Sequence, residues 1–166
     1  MPTIEPNDQA QNWRVRAWND EAVERRFLKE DLIAIGGPEM PDLSEWPGDE
    51  PILRILRAAL PERTERAFPV FVRYWRSFRL DMKPNDVVVV PMRRRRAAVG
   101  VIVGDYRFQA DEDDPYLRHR RQVRWTAEID RSALDESVRE VVNAPGTLAR
   151  LPLGPMPSSA TSGRRW

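Results

Sequence analysis

A chain of 166 residues, 41% hydrophobic and 32% charged, has the size and composition of one ordinary globular domain, and it contains no cysteine and a single histidine, His119. Disulfides, thiolate metal sites and cysteine nucleophiles are thereby excluded, and a zinc site or a histidine-based nuclease centre lacks ligands. The formal net charge is only +1, so attraction to a polyanion must come from how the basic residues are distributed.

All the basic residues except Lys29 and Lys83 and the lone histidine are arginine, the side chain suited to forked phosphate contacts and to stacking on rings; a GC-rich coding sequence would give the same bias. No stretch reaches the roughly 20 apolar residues that span a bilayer. The opening MPTIEPNDQAQNW has neither a basic flank nor an apolar segment, and a cytoplasmic location is expected.

In chain order, residues 1–11 are expected to be a flexible lead, 12–153 the folded domain and 154–166, rich in Pro and Ser, a disordered tail or linker. NWRVRAW alternates as a first strand, with Trp13, Val15 and Ala17 on one face and Arg14, Arg16 and Trp18 on the other. A polar, helical or turn-forming stretch leads to DLIAIGG, a short buried strand stopped by glycines. After a Pro/Gly loop, a helix opens at Glu50 and Pro51 and runs to about Ala59. A second helix is expected over 67–80, where Phe71, Tyr74, Trp75 and Phe78 recur at helical spacing.

MKPND makes a tight turn in which Asn85 tolerates positive φ. Residues 87–90 then read as a strand covered on both faces, 97–108 as a long strand that Gly100 and Gly104 bend, and 117–129 as another. A short helix over 131–142 and a last strand over 144–151 complete an α+β fold: a small, curved, mostly antiparallel barrel-like sheet of five or six strands with peripheral helices.

Two arginine clusters carry the functional reading. Arg93, Arg94, Arg95 and Arg96 fall on a hairpin connection between two apolar strands. Four adjacent positive charges repel within a Debye length, and phosphate contact relieves that repulsion; a solvated turn is the plainer alternative. In LRHRRQVRWT, Arg118, Arg120 and Arg124 share one strand face, to be balanced either by the acidic run of Asp111, Glu112, Asp113 and Asp114 or by an anionic ligand. His119 and Arg121, on the other face, read as packed, hydrogen-bonded residues of the core edge. Among the aromatics, Trp18, Trp46 and Tyr106 are candidate stacking platforms for a base, each against the alternative of a surface anchor. No phosphate-binding glycine loop is present, and the acidic run lacks a lysine or histidine beside it, so no enzyme, metal or cofactor is expected.

The ordered set NWRVRAW, DLIAIGG, PDLS, DMKPNDVVVVP, VGVIVGDYRF, RHRRQVRW, IDRS and APGTLARL resembles the PUA-like domains of the EVE and YTH type found in modification-dependent restriction systems, McrB-like and Mrr-like. The resemblance implies a small β-barrel with a pocket at one end that takes a flipped base, methylated or hydroxymethylated cytosine above all, into an aromatic cage while basic loops hold the backbone. Carried onto this chain, the cage is Trp18, Asn19, Trp46 and Tyr106, and the backbone contacts are Arg16, Arg93, Arg94, Arg95, Arg96, Arg118, Arg120 and Arg124. Two positions depart from the pattern. Asn85-Asp86 stands where a Gly-Asp pair is common, and Gly36-Gly37 stands where a Gly-Trp pair is expected, so that Trp46 or Trp18 would replace the missing ring. The implied partners are double-stranded DNA with a modified base and a nuclease or NTPase effector supplied by another domain or subunit; RNA binding and a protein-interaction role in a defence complex are the alternatives.

Overall fold

The computed structural model describes residues 10–37 and 39–152. The expected tail over 154–166, and all but the last two residues of the expected lead, lie outside the described residues. The elements run β1 (Asn12–Val15), α1 (Glu21–Lys29), β2 (Leu32–Ile35), α2 (Asp49–Ala59), α3 (Phe68–Arg76), a π-helical segment (Ser77–Asp81), β3 (Val87–Pro91), β4 (Arg96–Ile102), β5 (Arg107–Phe108), β6 (His119–Asp130), α4 (Glu136–Asn143) and β7 (Leu148–Arg150).

All seven strands form one sheet in the order β2-β6-β4-β3-β1-β7, with β5 also paired to β6. Only β1 and β3 run parallel; the other pairs are antiparallel, giving an α+β fold with a mostly antiparallel sheet. The curl has a local cause. The β4–β6 register shifts between Val99 and Gly100, and a Cβ at Gly100 would lie 2.5 Å from the Val123 side chain, so only glycine allows the strands to approach so closely at the bulge. β6 then continues past the end of β4, and its first residues pair with β2 on one side and β5 on the other. The curled sheet brings β1 against β2. The single strand expected over 97–108 is thus two strands, separated by a turn at Gly104.

Both faces of β3 are covered, as its unbroken valines require. Val88 and Val90 join the main core with Trp13, Phe27, Ile33, Ile52, Phe68 and Trp75. Val89, with Ala97 and Val99, packs instead on Val138 and Val142 of α4 and on Leu134 just before it. Asp86, at the entrance to β3, accepts the Trp13 indole N–H at 2.9 Å and the Gln11 amide at 2.9 Å, which ties β1 to the MKPND turn. Asn85 there has φ 77°.

Two buried arginines close helix ends. Arg14 donates to the carbonyls of Val141, Ala144 and Gly146 at 2.7 to 2.9 Å, at the C-terminus of α4, where the helix dipole favours a cation. Arg121 does the same for the π-helical segment, donating to Phe78 O at 2.9 Å and Arg79 O at 3.1 Å. Part of the arginine count is therefore structural.

Candidate nucleic-acid interface

Arg93 to Arg96 form the tip of the β3–β4 hairpin. The Arg96 N–H meets the Arg93 carbonyl at 3.2 Å, and the two residues between them, Arg94 and Arg95, have φ of 56° and 61°. Positive φ at both central positions is the pattern of a primed hairpin turn, which Asn-Gly fills with least strain. Arg94 and Arg95 are exposed, and among the described residues their side chains have no hydrogen bond or ion pair. Arg96 leans back to Glu128 Oε1 at 3.2 Å.

Arg93 reaches sideways. Its Nη2 donates to Asn19 O at 2.9 Å, and Nη1 is 3.4 Å from Glu21 Oε2. Asn19 and Trp18 form the corner after β1, with φ of 52° and 53°, and Asp20 then starts α1 by accepting the Ala22 amide at 2.8 Å. The half-buried Trp18 ring lies edge-on to Phe27, centroids 6.4 Å apart, and to Tyr116, 5.9 Å apart. Tyr116 is 46% exposed.

Tyr116 is the residue that sequence reasoning missed, although an aromatic between an acidic run and an arginine strand, in DDPYLRHRR, was a signal of the same kind as Trp46 in its loop. Its position is fixed from two sides. Asp114 Oδ1 accepts its amide at 3.0 Å, and β2 ends against it at Gly36, where a Cβ would lie 2.8 Å from the Tyr116 Cα. The place beside Gly36 is therefore filled by Tyr116 itself.

The second arginine cluster is divided by its partners. Glu112 accepts two bonds from Arg26, at 2.6 and 2.8 Å, and one from Arg120 at 2.9 Å. These guanidinium groups, Arg26 first, hold its carboxyl down at about 2. Arg118 donates to the Glu112 carbonyl at 3.0 Å. Of the acidic run, it is Glu112 that balances these arginines. Arg124 is exposed and makes no side-chain hydrogen bond or ion pair among the described residues. Arg16 is turned the other way, onto the C-terminus of α4, where it donates to Val142 O at 3.1 Å and to Ala144 O; those bonds take up the face that a phosphate would use.

The four aromatic and amide residues expected to share a cage are split. Trp18 and Asn19 share the corner with Tyr116. Trp46 packs half-buried on the main core in the loop before α2. Tyr106 is 9% exposed. Its hydroxyl donates to His119 Nδ1 at 2.7 Å and accepts the Leu43 amide at 3.0 Å. His119 Nε2 in turn donates to Met40 O at 3.1 Å, and burial pushes the imidazole down to about 4 and the phenol up to about 12. Tyr106 lines a separate cleft of about 330 Å³ with Arg79, Lys83 and Asp105.

The Trp18–Asn19 corner is where the two arginine-bearing segments meet. Asn19 holds the hairpin through Arg93, and Trp18 holds Tyr116, two residues before Arg118.

Residues 13–151 match a family described as Domain of unknown function (DUF8426). No curated protein sequence matches the chain. Among solved structures, the chain is similar to the YTH domain of the Zygosaccharomyces rouxii MRB1 protein in complex with N6-methyladenosine RNA, at 12% identity and a TM-score of 0.44, over 92% of this chain and 86% of that one. A likeness that shallow is no guide to what this chain binds. Among the described residues no helix is long and apolar enough to cross a membrane.

Proposed function

The chain belongs to the DUF8426 family, and we propose that it is a non-catalytic reader of a modified base in DNA. The base, flipped from its duplex, stacks at the Trp18–Tyr116 corner, with Asn19 beside it to bond its edge. Arg93, Arg94 and Arg95 take the phosphates next to that base, and Arg124 extends the track. Trp46 and Tyr106 stand outside this cage. As a specificity module of a restriction or defence system, the protein would mark the site for an effector that cleaves.

The observation that carries this reading is the backbone at Arg94 and Arg95. A two-residue turn with positive φ at both positions is least strained as Asn-Gly; two arginines there cost about 1 to 2 kcal/mol each. Strain kept at an exposed tip, for side chains with no hydrogen bond or ion pair among the described residues, is accounted for when those side chains meet a ligand. The motif resemblance to EVE and YTH-type domains supports the same reading independently.

The test is a binding panel of duplexes that differ in one modification, cytosine methyl or hydroxymethyl or adenine methyl, alongside matched RNA. The wild-type chain is compared with the double variant R94N/R95G. Preference for one modified duplex, lower affinity in the double variant and a raised melting temperature are expected. Tighter binding of the matched RNA would replace DNA with RNA as the substrate. A double variant that binds like the wild type would overturn the reading.

A further inference from the structure

The cleft at Tyr106 is built differently from the corner and from residues the proposed reader does not use. Arg79 comes from the π-helical segment, whose wider turn is a rare geometry that recurs at functional sites. Its guanidinium is fixed before any ligand arrives. Nε donates to Leu43 O at 2.5 Å, Nη2 donates to Ser44 O, and the group lies 5.4 Å above the Tyr106 ring. Nη1 of Arg79 has no hydrogen bond among the described residues. Lys83 stands at the mouth; its backbone is pinned by the amide bond to Asp86 Oδ2 at 3.0 Å, while its ammonium is exposed and forms no ion pair among the described residues. Behind them the Arg121 guanidinium, 2% exposed, holds the carbonyls of Phe78, Arg79 and Gly104. Asp105 is the one carboxylate in the lining, against three cations.

We propose that this cleft is an oxyanion site that takes a phosphate group, bound by Lys83 and the free edge of Arg79, with the Arg121 charge behind and Asp105 setting an upper limit on affinity. A prearranged guanidinium loses little freedom on meeting an anion, and a lysine at the rim supplies a mobile second contact. The apolar Leu80, 40% exposed, together with Met82 and Pro84 lines the same cleft and suits a phosphate that carries an organic group, as a nucleotide does, over the bare ion. The phosphate comes either from a free nucleotide or from a nucleic-acid strand.

The site is independent of the arginine hairpin, and the experiment keeps the two apart. Inorganic phosphate, cytidine monophosphate and a short single-stranded oligonucleotide are titrated into the full chain and into R94N/R95G, with backbone amide shifts read by NMR. Saturable shifts at Lys83, Gly104, Asp105 and Tyr106 are expected in both chains. Lys83→Gln should weaken the binding and Asp105→Asn strengthen it, each by roughly tenfold, the lower end of what a unit charge in contact is worth at a protein surface. Shifts produced by the mononucleotide assign a free nucleotide; shifts produced by the oligonucleotide alone assign a strand phosphate. Shifts confined to other residues, or the same affinity in wild type, Lys83→Gln and Asp105→Asn, would overturn the proposal. Either result leaves the hairpin reading where it stood.

Discussion

The Tyr106 hydroxyl lies 2.7 Å from His119 Nδ1 and accepts the Leu43 amide at 3.0 Å. With the bond from His119 Nε2 to Met40 O, three hydrogen bonds in series fasten the 39–44 loop to β6 through two buried side chains. Tyr106→Phe removes the centre of that series and leaves the Leu43 N–H and His119 Nδ1 without a partner. A loss of about 2 to 6 kcal/mol follows from two buried polar groups left unsatisfied, at about 1 to 3 kcal/mol each. Urea unfolding measures it, and hydrogen exchange should show the Leu43 amide losing protection before those of β3. A variant as stable as the wild type would show that the loop is held by something else.

The burial of His119 makes stability depend on pH. Burial places His119 at about 4, below its ordinary 6.5. The folded state therefore favours the neutral ring, so the stabilisation is complete above 6.5 and is lost as pH falls from 6.5 to 4. The whole window is worth about 3 kcal/mol. Glu112, held at about 2 against an ordinary 4.5, adds a second loss over a lower window, from 4.5 down to 2. Unfolding free energies at pH 7, 4.5 and 3 should show both steps, and Glu112→Gln should remove only the lower one.

Glu112 also sets how much positive charge faces the corner. In Glu112→Gln the neutral amide no longer balances Arg26 and Arg120, and the chain gains one unit of positive charge beside Tyr116. Non-specific affinity for duplex DNA should rise, and the slope of log K against log salt should steepen by about one. An unchanged slope would mean that Arg26 stays on the Glu30 carboxylate and Arg120 on the Leu117 carbonyl, and that neither meets phosphate.

Gly36 is the position where the corner is most easily disturbed without touching its chemistry. A Cβ there would come within 2.9 Å of three Tyr116 atoms, its Cα among them, and backbone cannot swing aside as a side-chain tip can. Gly36→Ala should therefore shift the Tyr116 ring from Trp18 and cost about 1 to 3 kcal/mol. Preference for a modified base should fall further than affinity for plain duplex. Equal losses on both would place Tyr116 outside the cage.

Much of this was legible in the sequence because it depends on local pattern. The valines of β3 announced a strand covered on both faces, Asn85 announced a left-handed turn, and the arginine run between two apolar stretches announced a hairpin tip. What failed to show was pairing across the fold. Nothing local shows that Arg16, between Val15 and Ala17, is spent on the carbonyls at the end of α4, because those carbonyls lie far along the chain. Tyr106 and Tyr116 are equally hard to tell apart by neighbours. Tyr106 follows Gly-Asp and is buried on His119; Tyr116 follows Asp-Pro and is exposed on Trp18. Contacts distant in sequence separate them: Tyr106 meets His119 of β6, and Tyr116 meets Gly36 at the end of β2 and Trp18.

The hairpin tip offers a case in which stability and binding move in opposite directions. Arg94 and Arg95 hold left-handed backbone that Asn and Gly adopt with little strain, so R94N/R95G should stabilise the fold by about 1 to 3 kcal/mol, the strain relieved at two positions less the unfolded-state freedom a glycine adds. Removing two phosphate-binding guanidinium groups together should also make the salt slope shallower by about 2, close to 0.9 for each phosphate no longer neutralised. A substitution that merely damaged the protein would lower both quantities. A higher melting point with a flatter slope is the signature of side chains kept for their ligand at the expense of the turn. A higher melting point with the slope unchanged would mean that the tip is only a strained, solvated turn.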